Sequence, residues 1–301
     1  MDTTDPKILD TGDFPSVPPA LPPRIEVISS ARSDVGKVRR NNEDHYLVAR
    51  LRRSIDIDAT NLDSLRLPLL REEAGHLLAV ADGMGGMASG EDASFLAISA
   101  GLELLRDAAK WHLDVSGPNE IEELVATCRS YIQQINQRVY TQASQDASKE
   151  GMGTTLSVAY SVGLRLFVVH VGDSRVYLAH GGTLQQITRD HTVAQDLATT
   201  GRITQSEVKS HRMRNVLTNY IGSPDQGIEA EIHRLELHPG DRLLLCSDGL
   251  SDQVEDAEIA QILASASEPK AACDRLVDAA LKAGGRDNIT VIVADYRVES
   301  S

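Results

Sequence analysis

Residues 77–90 read LLAVADGMGGMASG. The apolar run Leu77 to Ala81 has the length and composition of a buried strand, and it delivers Asp82 into a turn of Gly83, Gly85 and Gly86. Small residues then lead into a helix-like segment. A carboxylate at the end of a buried strand, with no cation beside it in sequence, admits two chemistries. Either the acid needs a metal ion, or the glycines cradle a phosphate with their backbone N–H groups. The rest of the chain decides between them.

With 301 residues, 41% of them hydrophobic, the chain can bury a substantial core, and one large domain is expected. Acidic residues outnumber basic ones 44 to 30, for a net charge of −14, which argues against nucleic acid or an anionic membrane as partner. An acidic protein that handles phosphate needs a cation to do so. No apolar stretch approaches the length of a membrane span and the first ten residues, MDTTDPKILD, do not read as a signal sequence, so a soluble, cytoplasmic protein is expected. Cys128, Cys246 and Cys273 are too far apart for a CxxC site, and none is followed six residues later by arginine, which excludes a cysteine-nucleophile phosphatase.

Residues 1–23 hold six prolines and read as a disordered leader, with residues 24–298 forming one domain. IEVISSA and HYLVARL read as strands, and residues 52–74 as a long loop or hairpin extension. Helical periodicity follows at Ala93, Leu96, Ala97, Ala100 and Leu104, and again from Ile121 to Val139, with a break at Gly117 and Pro118. TLSVAYSV, RLFVVHVG and SRVYLAH are strands, and Gly181 with Gly182 turns the chain into TLQQIT. After a short, polar, helical stretch at 191–220 come IEAEIHRLEL and DRLLLCSD, two amphipathic helices near 255–266 and 269–283, and a closing strand, NITVIVADY. This order predicts an α+β sandwich with largely antiparallel sheets.

Four aspartates share one local setting. Asp82, Asp173 and Asp248 each follow an apolar strand, and Asp287 immediately precedes one. In antiparallel sheets the end of one strand and the start of its neighbour share an edge, so all four can converge. Crowded carboxylates are costly, and a divalent cation relieves the repulsion. A donor set of oxygens alone suits Mg²⁺ or Mn²⁺ rather than zinc. The segment Asp56 to Asp63 fails as an EF-hand loop, with Asn61 where the glycine belongs and Leu67 where the bidentate acid belongs. Upstream, Arg39-Arg40-Asn41-Asn42-Glu43-Asp44 combines an arginine fork suited to phosphate with acids suited to water held on a metal.

RRNNEDHY, VADGMGGMASGEDAS, GMGTTLSVAY, VVHVGDSRVYL, LLLCSDGLSDQV and GGRDNITVIVADY, in this order from Arg39 to Tyr296, resemble the signature motifs of the type 2C metal-dependent protein serine/threonine phosphatases, most closely their bacterial branch. The resemblance implies a four-layer α-β-β-α sandwich of two antiparallel sheets flanked by helix pairs. It implies two Mn²⁺ or Mg²⁺ ions, with Asp82 bridging them, the Gly83 carbonyl on one, and Asp248 and Asp287 on the other. Glu43 and Asp44 match positions that hold metal-bound waters, Asp173 and Asp252 those of a third, weaker ion, and Arg39 the arginine that grips the substrate phosphate. It further implies hydrolysis of phosphoserine and phosphothreonine in proteins by a water bridging the two ions. The expected partners are phosphoproteins, with a Ser/Thr kinase or its targets on the other side of the signal, and a monomer is expected.

This chain departs from the pattern at Met84, where some members carry a histidine proposed as general acid; water on a metal is left to donate that proton. It departs again in the flap-like segment 191–222, at Asn219 and Tyr220, which bears on substrate choice. Three rivals are weaker. Gly83 to Ala88 fits G-x-G-x-x-A with Glu103 about twenty residues on, but Asp82 would repel a pyrophosphate and Glu103 lies in a helical pattern. Asp56-Ile57-Asp58-Ala59-Thr60 matches the DxDxT motif of the haloacid dehalogenase family, but Arg52, Arg53 and Ser54 precede it where a buried strand belongs. A catalytically silent phosphoprotein-binding module would be favoured by missing metal ligands, and all are present.

Overall fold

In the computed structural model, residues 25–53, 73–85, 89–107, 118–224 and 227–299 are described. The leader, the Asp56–Asp63 and DxDxT segments, Gly86 to Ala88 of the glycine turn, and the Gly117 break lie outside them.

Among the described residues, eleven strands form two antiparallel sheets. One has the order β1 (Ile25–Asp34), β11 (Ile289–Val298), β10 (Arg242–Cys246), β7 (Arg175–His180), β8 (Thr183–Gln186). The other has the order β2 (Asp44–Arg53), β3 (Glu73–Met84), β5 (Leu156–Val162), β6 (Arg165–Val171), β9 (Glu231–Glu236), with the two-residue β4 (Gly153–Thr154) pairing the end of β3. Helices α1 (Ser89–Asp107) and α2 (Pro118–Gln145) cover the second sheet. The short helices α3 (Val193–Thr199) and α4 (Gln205–Val208) lie in the flap-like segment, and α6 (Asp256–Ser265) and α7 (Pro269–Ala283) cover the first sheet, giving the expected four layers.

The continuous apolar runs follow from burial on both faces of each strand. In β10, Leu243 and Leu245 face the other sheet while Leu244 and Cys246 face α6 and α7; in β3, Leu78 and Val80 face between the sheets and Ala81 faces the α1–α2 layer. A Tyr296 to Ser161 hydroxyl contact of 2.9 Å ties β11 to β5 across that interface. Among the described helices, none is long and apolar enough to cross a membrane.

The described part of the 52–74 segment takes the hairpin-extension alternative: β2 and β3 pair out to Arg53 with Glu73, and residues 54–72 lie outside the described residues. β4 was not expected, because two residues carry no periodicity. Nor was the one-turn helix α5 (Asp248–Ser251), which follows β10 directly and begins at Asp248 itself.

Gly249 in α5 permits this close turn. A Cβ there would stand 1.9 Å from the Asn288 carbonyl oxygen, an overlap that must push α5 away from β11. Gly249→Ala is therefore expected to destabilise the fold by about 1–3 kcal/mol, lowering Tm by several °C. A melting temperature equal to that of the parent would show that the two segments part freely.

Candidate metal centre

The edge where β2 begins, β3 and β10 end, β11 begins and β6 turns into β7 collects the acids. Asp44 and Asp82 are register partners at the start of β2 and the end of β3. Asp248 follows β10, Asp287 precedes β11, and Asp173 lies in the turn between β6 and β7. The charges of Asp44, Asp248, Asp173 and Asp287 all act on Asp82 and, with burial as the largest cause, raise its pKa well above the carboxylate range. Asp248 is raised for the same reasons, burial first and then Asp173, Asp287 and Asp252. Burial pushes Asp44 up to about 6, against the stabilising hydroxyls of Ser247 and Thr290. Asp173 is pushed to about 7 by burial, then by the charges of Asp190 and Asp252. Glu43 is raised by burial, partly offset by Arg39.

Hydrogen bonds fix this geometry. The Asp82 N–H donates to Thr155 Oγ1 at 2.9 Å, and the Asp82 carbonyl accepts from the Thr155 N–H and the Thr154 hydroxyl, each at 2.9 Å. Ser247 Oγ donates to Asp44 Oδ2 at 2.7 Å while accepting from the Thr290 N–H at 3.0 Å, so β10 and β11 both orient the Asp44 carboxylate. Asn288 binds three residues of the β1–β2 connection, donating to the Val35 and Asn41 carbonyls and accepting from the Glu43 N–H. The Gly83 N–H donates to the Glu43 carbonyl at 3.2 Å, and a Cβ on Gly83 would stand 2.1 Å from the Gly90 carbonyl oxygen. Only glycine lets the end of β3 lie this close to the start of α1.

The donor set fits divalent cations. Asp44 Oδ1 is buried with no hydrogen-bond partner, and the surrounding acids supply hard oxygen ligands in excess of any neutralising side chain. The acids form a cup, not a point: among the described residues, no three of these acids bring one oxygen each within 4.8 Å of one another. That breadth suits more than one ion with intervening water. Arg39 reaches in from the rim and pairs with Asp287 through Nη2 to Oδ2 at 2.6 Å, with about half its side chain exposed. Asp252 stands to one side, close enough for its charge to act on Asp173 and Asp248. There it meets the flap, accepting from Asn215 Nδ2 at 3.2 Å and lying 3.7 Å from Arg214 Nε.

The flap-like segment is pinned by its unusual residues. Asn219 donates to the Glu229 carbonyl at 2.7 Å, and the Tyr220 ring packs over Gly153 together with the Met84 methyl. Ser247, Thr290, Thr155 and Asn288 escaped sequence reasoning because their work is done by hydrogen bonds across distant segments. Only Asn288, adjacent to Asp287, and Ser247, adjacent to Asp248, carried a local hint. Arg175, in the GDSR motif, makes a bidentate pair with Asp190 at 2.8 and 2.6 Å and donates to the Tyr177 hydroxyl at 2.9 Å, so its guanidinium is engaged within the protein.

The family model for protein phosphatase 2C matches residues 53–283. The chain belongs to the protein phosphatase 2C family. It is 40% identical over 267 residues to the serine/threonine protein phosphatase PstP of Mycobacterium tuberculosis, a match that covers 88% of this chain and 44% of PstP. The chain thus spans less than half the length of that relative. It is 31% identical over 264 residues to the serine/threonine phosphatase stp of Listeria welshimeri, covering 88% of this chain and 94% of the relative. The crystal structure of the PstP catalytic domain, in complex with two manganese ions, superposes with a TM-score of 0.70 at 36% identity, covering 91% of this chain and 99% of that one.

Proposed function

We propose that this chain hydrolyses phosphoserine and phosphothreonine in proteins, using two Mn²⁺ or Mg²⁺ ions. Asp82, the Gly83 carbonyl, Asp248 and Asp287 would hold the ions. Glu43 and Asp44 would order water beside them, and Asp173 with Asp252 would take a third, weaker ion. One observation carries the reading: mutually repelling carboxylates share a sheet edge with the half-exposed guanidinium of Arg39 on the rim. The manganese bound by the PstP catalytic domain and the names of the relatives support it. When bound, the ions supply neutralisation of the phosphoryl oxygens and a water nucleophile at neutral pH. The same proposal includes a cytoplasmic monomer acting in signalling against a Ser/Thr kinase. The silent binding module has no observation in its favour.

The protein's own residues supply positioning. Thr155, Ser247 and Asn288 hold Asp82, Asp44 and Glu43 in place before substrate arrives, so the reacting groups need little rearrangement. Arg39 offers a planar fork to two phosphate oxygens. Met84, packed against Gly153, has no proton to give, so the leaving alcohol is protonated from elsewhere. Arg39→Ala is expected to raise KM about tenfold or more, the worth of charged hydrogen bonds to phosphate, with a smaller effect on kcat. An unchanged KM would leave Arg39 with only its pairing to Asp287. The direct test of the activity is release of phosphate from a phosphothreonine peptide by the whole chain in Mn²⁺. Release that grows with Mn²⁺ supports the proposal, and none at any Mn²⁺ concentration overturns it.

A further inference from the structure

At the opposite end of the first sheet, β7 and β10 bring together a second set of ligating side chains. Arg242 pairs with Ala179, which sets His180, the last residue of β7, across from Asp241. His238 approaches from the preceding turn, which is held by the Asp241 N–H on the His238 carbonyl at 3.0 Å and the Gly240 N–H on the Tyr296 carbonyl at 2.7 Å. His180 Nδ1 lies 2.6 Å from Asp241 Oδ1 and His238 Nδ1 lies 3.8 Å from Oδ2. The imidazoles tilt toward each other with centroids 4.8 Å apart, and one ligand atom from each of the three residues falls within 4.8 Å of the others. Asp241 and Asp248 lie at opposite ends of β10, ~20 Å apart by strand rise, so the two centres are separate.

The ordinary role of such an aspartate is to cap a turn, and Asp241 does accept the His238 N–H at 2.8 Å. That role leaves the imidazoles unexplained. The Asp241 side chain is only 3% exposed, whereas those of His180 and His238 are 55% and 64% exposed. The neighbouring Arg242 is committed to Asp295 and to the Leu263 and Ala266 carbonyls. Two surface imidazoles therefore lean over one buried carboxylate whose position the turn fixes. Two nitrogens and one oxygen make a borderline donor set that favours zinc-class ions over Mg²⁺ or Mn²⁺, with the fourth position left to water. The exposed rings can rotate to reach bond lengths of ~2.0–2.2 Å without moving the backbone.

We propose that His180, His238 and Asp241 form a zinc-class transition-metal site that clamps the β7–β8 hairpin to the turn entering β10. The site is independent of the phosphatase centre. The test is a Zn²⁺ titration of the whole chain in saturating Mn²⁺, followed by the imidazole NMR resonances, by calorimetry and by thermal melting. In the parent protein, Zn²⁺ is expected to shift the His180 and His238 resonances together, to bind with one equivalent beyond the Mn²⁺ sites, and to raise Tm. In His180→Ala and in His238→Ala, affinity for that equivalent is expected to fall about tenfold or more and the rise in Tm to vanish. Turnover of a phosphothreonine peptide in Mn²⁺ should stay unchanged in both. Resonances of His180 and His238 that ignore Zn²⁺ in the parent would overturn the proposal without recourse to any variant. Unaltered Zn²⁺ binding in a variant carrying both His180→Ala and His238→Ala would overturn it as well.

Discussion

Asp82→Asn is expected to lower phosphatase activity by about a thousandfold or more while raising the melting temperature of the metal-free protein at pH 8. Both effects have one cause. Asp82 is the acid on which the charges of Asp44, Asp248, Asp173 and Asp287 all act, so without a cation its own charge is a burden to the fold. An amide of nearly the same shape relieves that repulsion and keeps the hydrogen bonds of the Asp82 backbone to Thr154 and Thr155, which do not involve its side chain. With metal present the same change would take a carboxylate out of the set proposed to hold the ions. Activity within tenfold of the parent, or a metal-free variant that melts lower than the parent at pH 8, would contradict this.

The second large effect is on the pH dependence of the metal-free protein. Burial raises the folded-state pKa values of Asp44 and Asp173 to about 6 and about 7 from the ordinary aspartate value of 3.8. An acid whose pKa is raised on folding favours the fold when protonated. Its contribution is therefore fully present below about pH 4 and is lost as pH rises through 6 to 7. For Asp44 alone this is on the order of 3 kcal/mol. Glu231 works in the opposite sense: it is lowered to about 2 by His191 and His233 despite burial, and contributes stability that is lost only as pH falls through that value. In chelator, then, the melting temperature should fall between pH 5 and pH 8, by roughly 5–10 °C for a domain of this size. Mn²⁺ or Mg²⁺ added at pH 8 should restore it. A metal-free protein that melts higher at pH 8 than at pH 5 would mean that the acids are not crowded in solution.

Much of this was legible because strands buried on both faces leave an unmistakable trace. LLAVA, FVVHV, RLLLC and ITVIVA announce their positions, and an acid just after each of the first three and just before the last announces the edge. What was not legible depends on contacts between residues far apart in the chain. Asn288 bridges Val35, Asn41 and Glu43, some 250 residues away, and no local pattern encodes such a bond. β4 and α5 are too short for any period to emerge. The His180, His238 and Asp241 group was hidden for the same reason: His180 ends one strand and the other two precede another, and only the β7–β10 register brings them together. The glycine turn after Asp82 is the instructive case. Read alone, it suits a phosphate as well as a cation. The other acids decide for the cation, because they surround Asp82 with negative charge that would repel a bare phosphate.

This carboxylate cup is proposed to act through bound divalent cations. The most direct measurement is the rate of phosphate release from a phosphothreonine peptide by the whole chain in Mn²⁺, in excess chelator, and by Asp248→Asn in Mn²⁺. The expected result is rapid release in the first case and near-background release in the other two. Equal rates in all three would contradict the account.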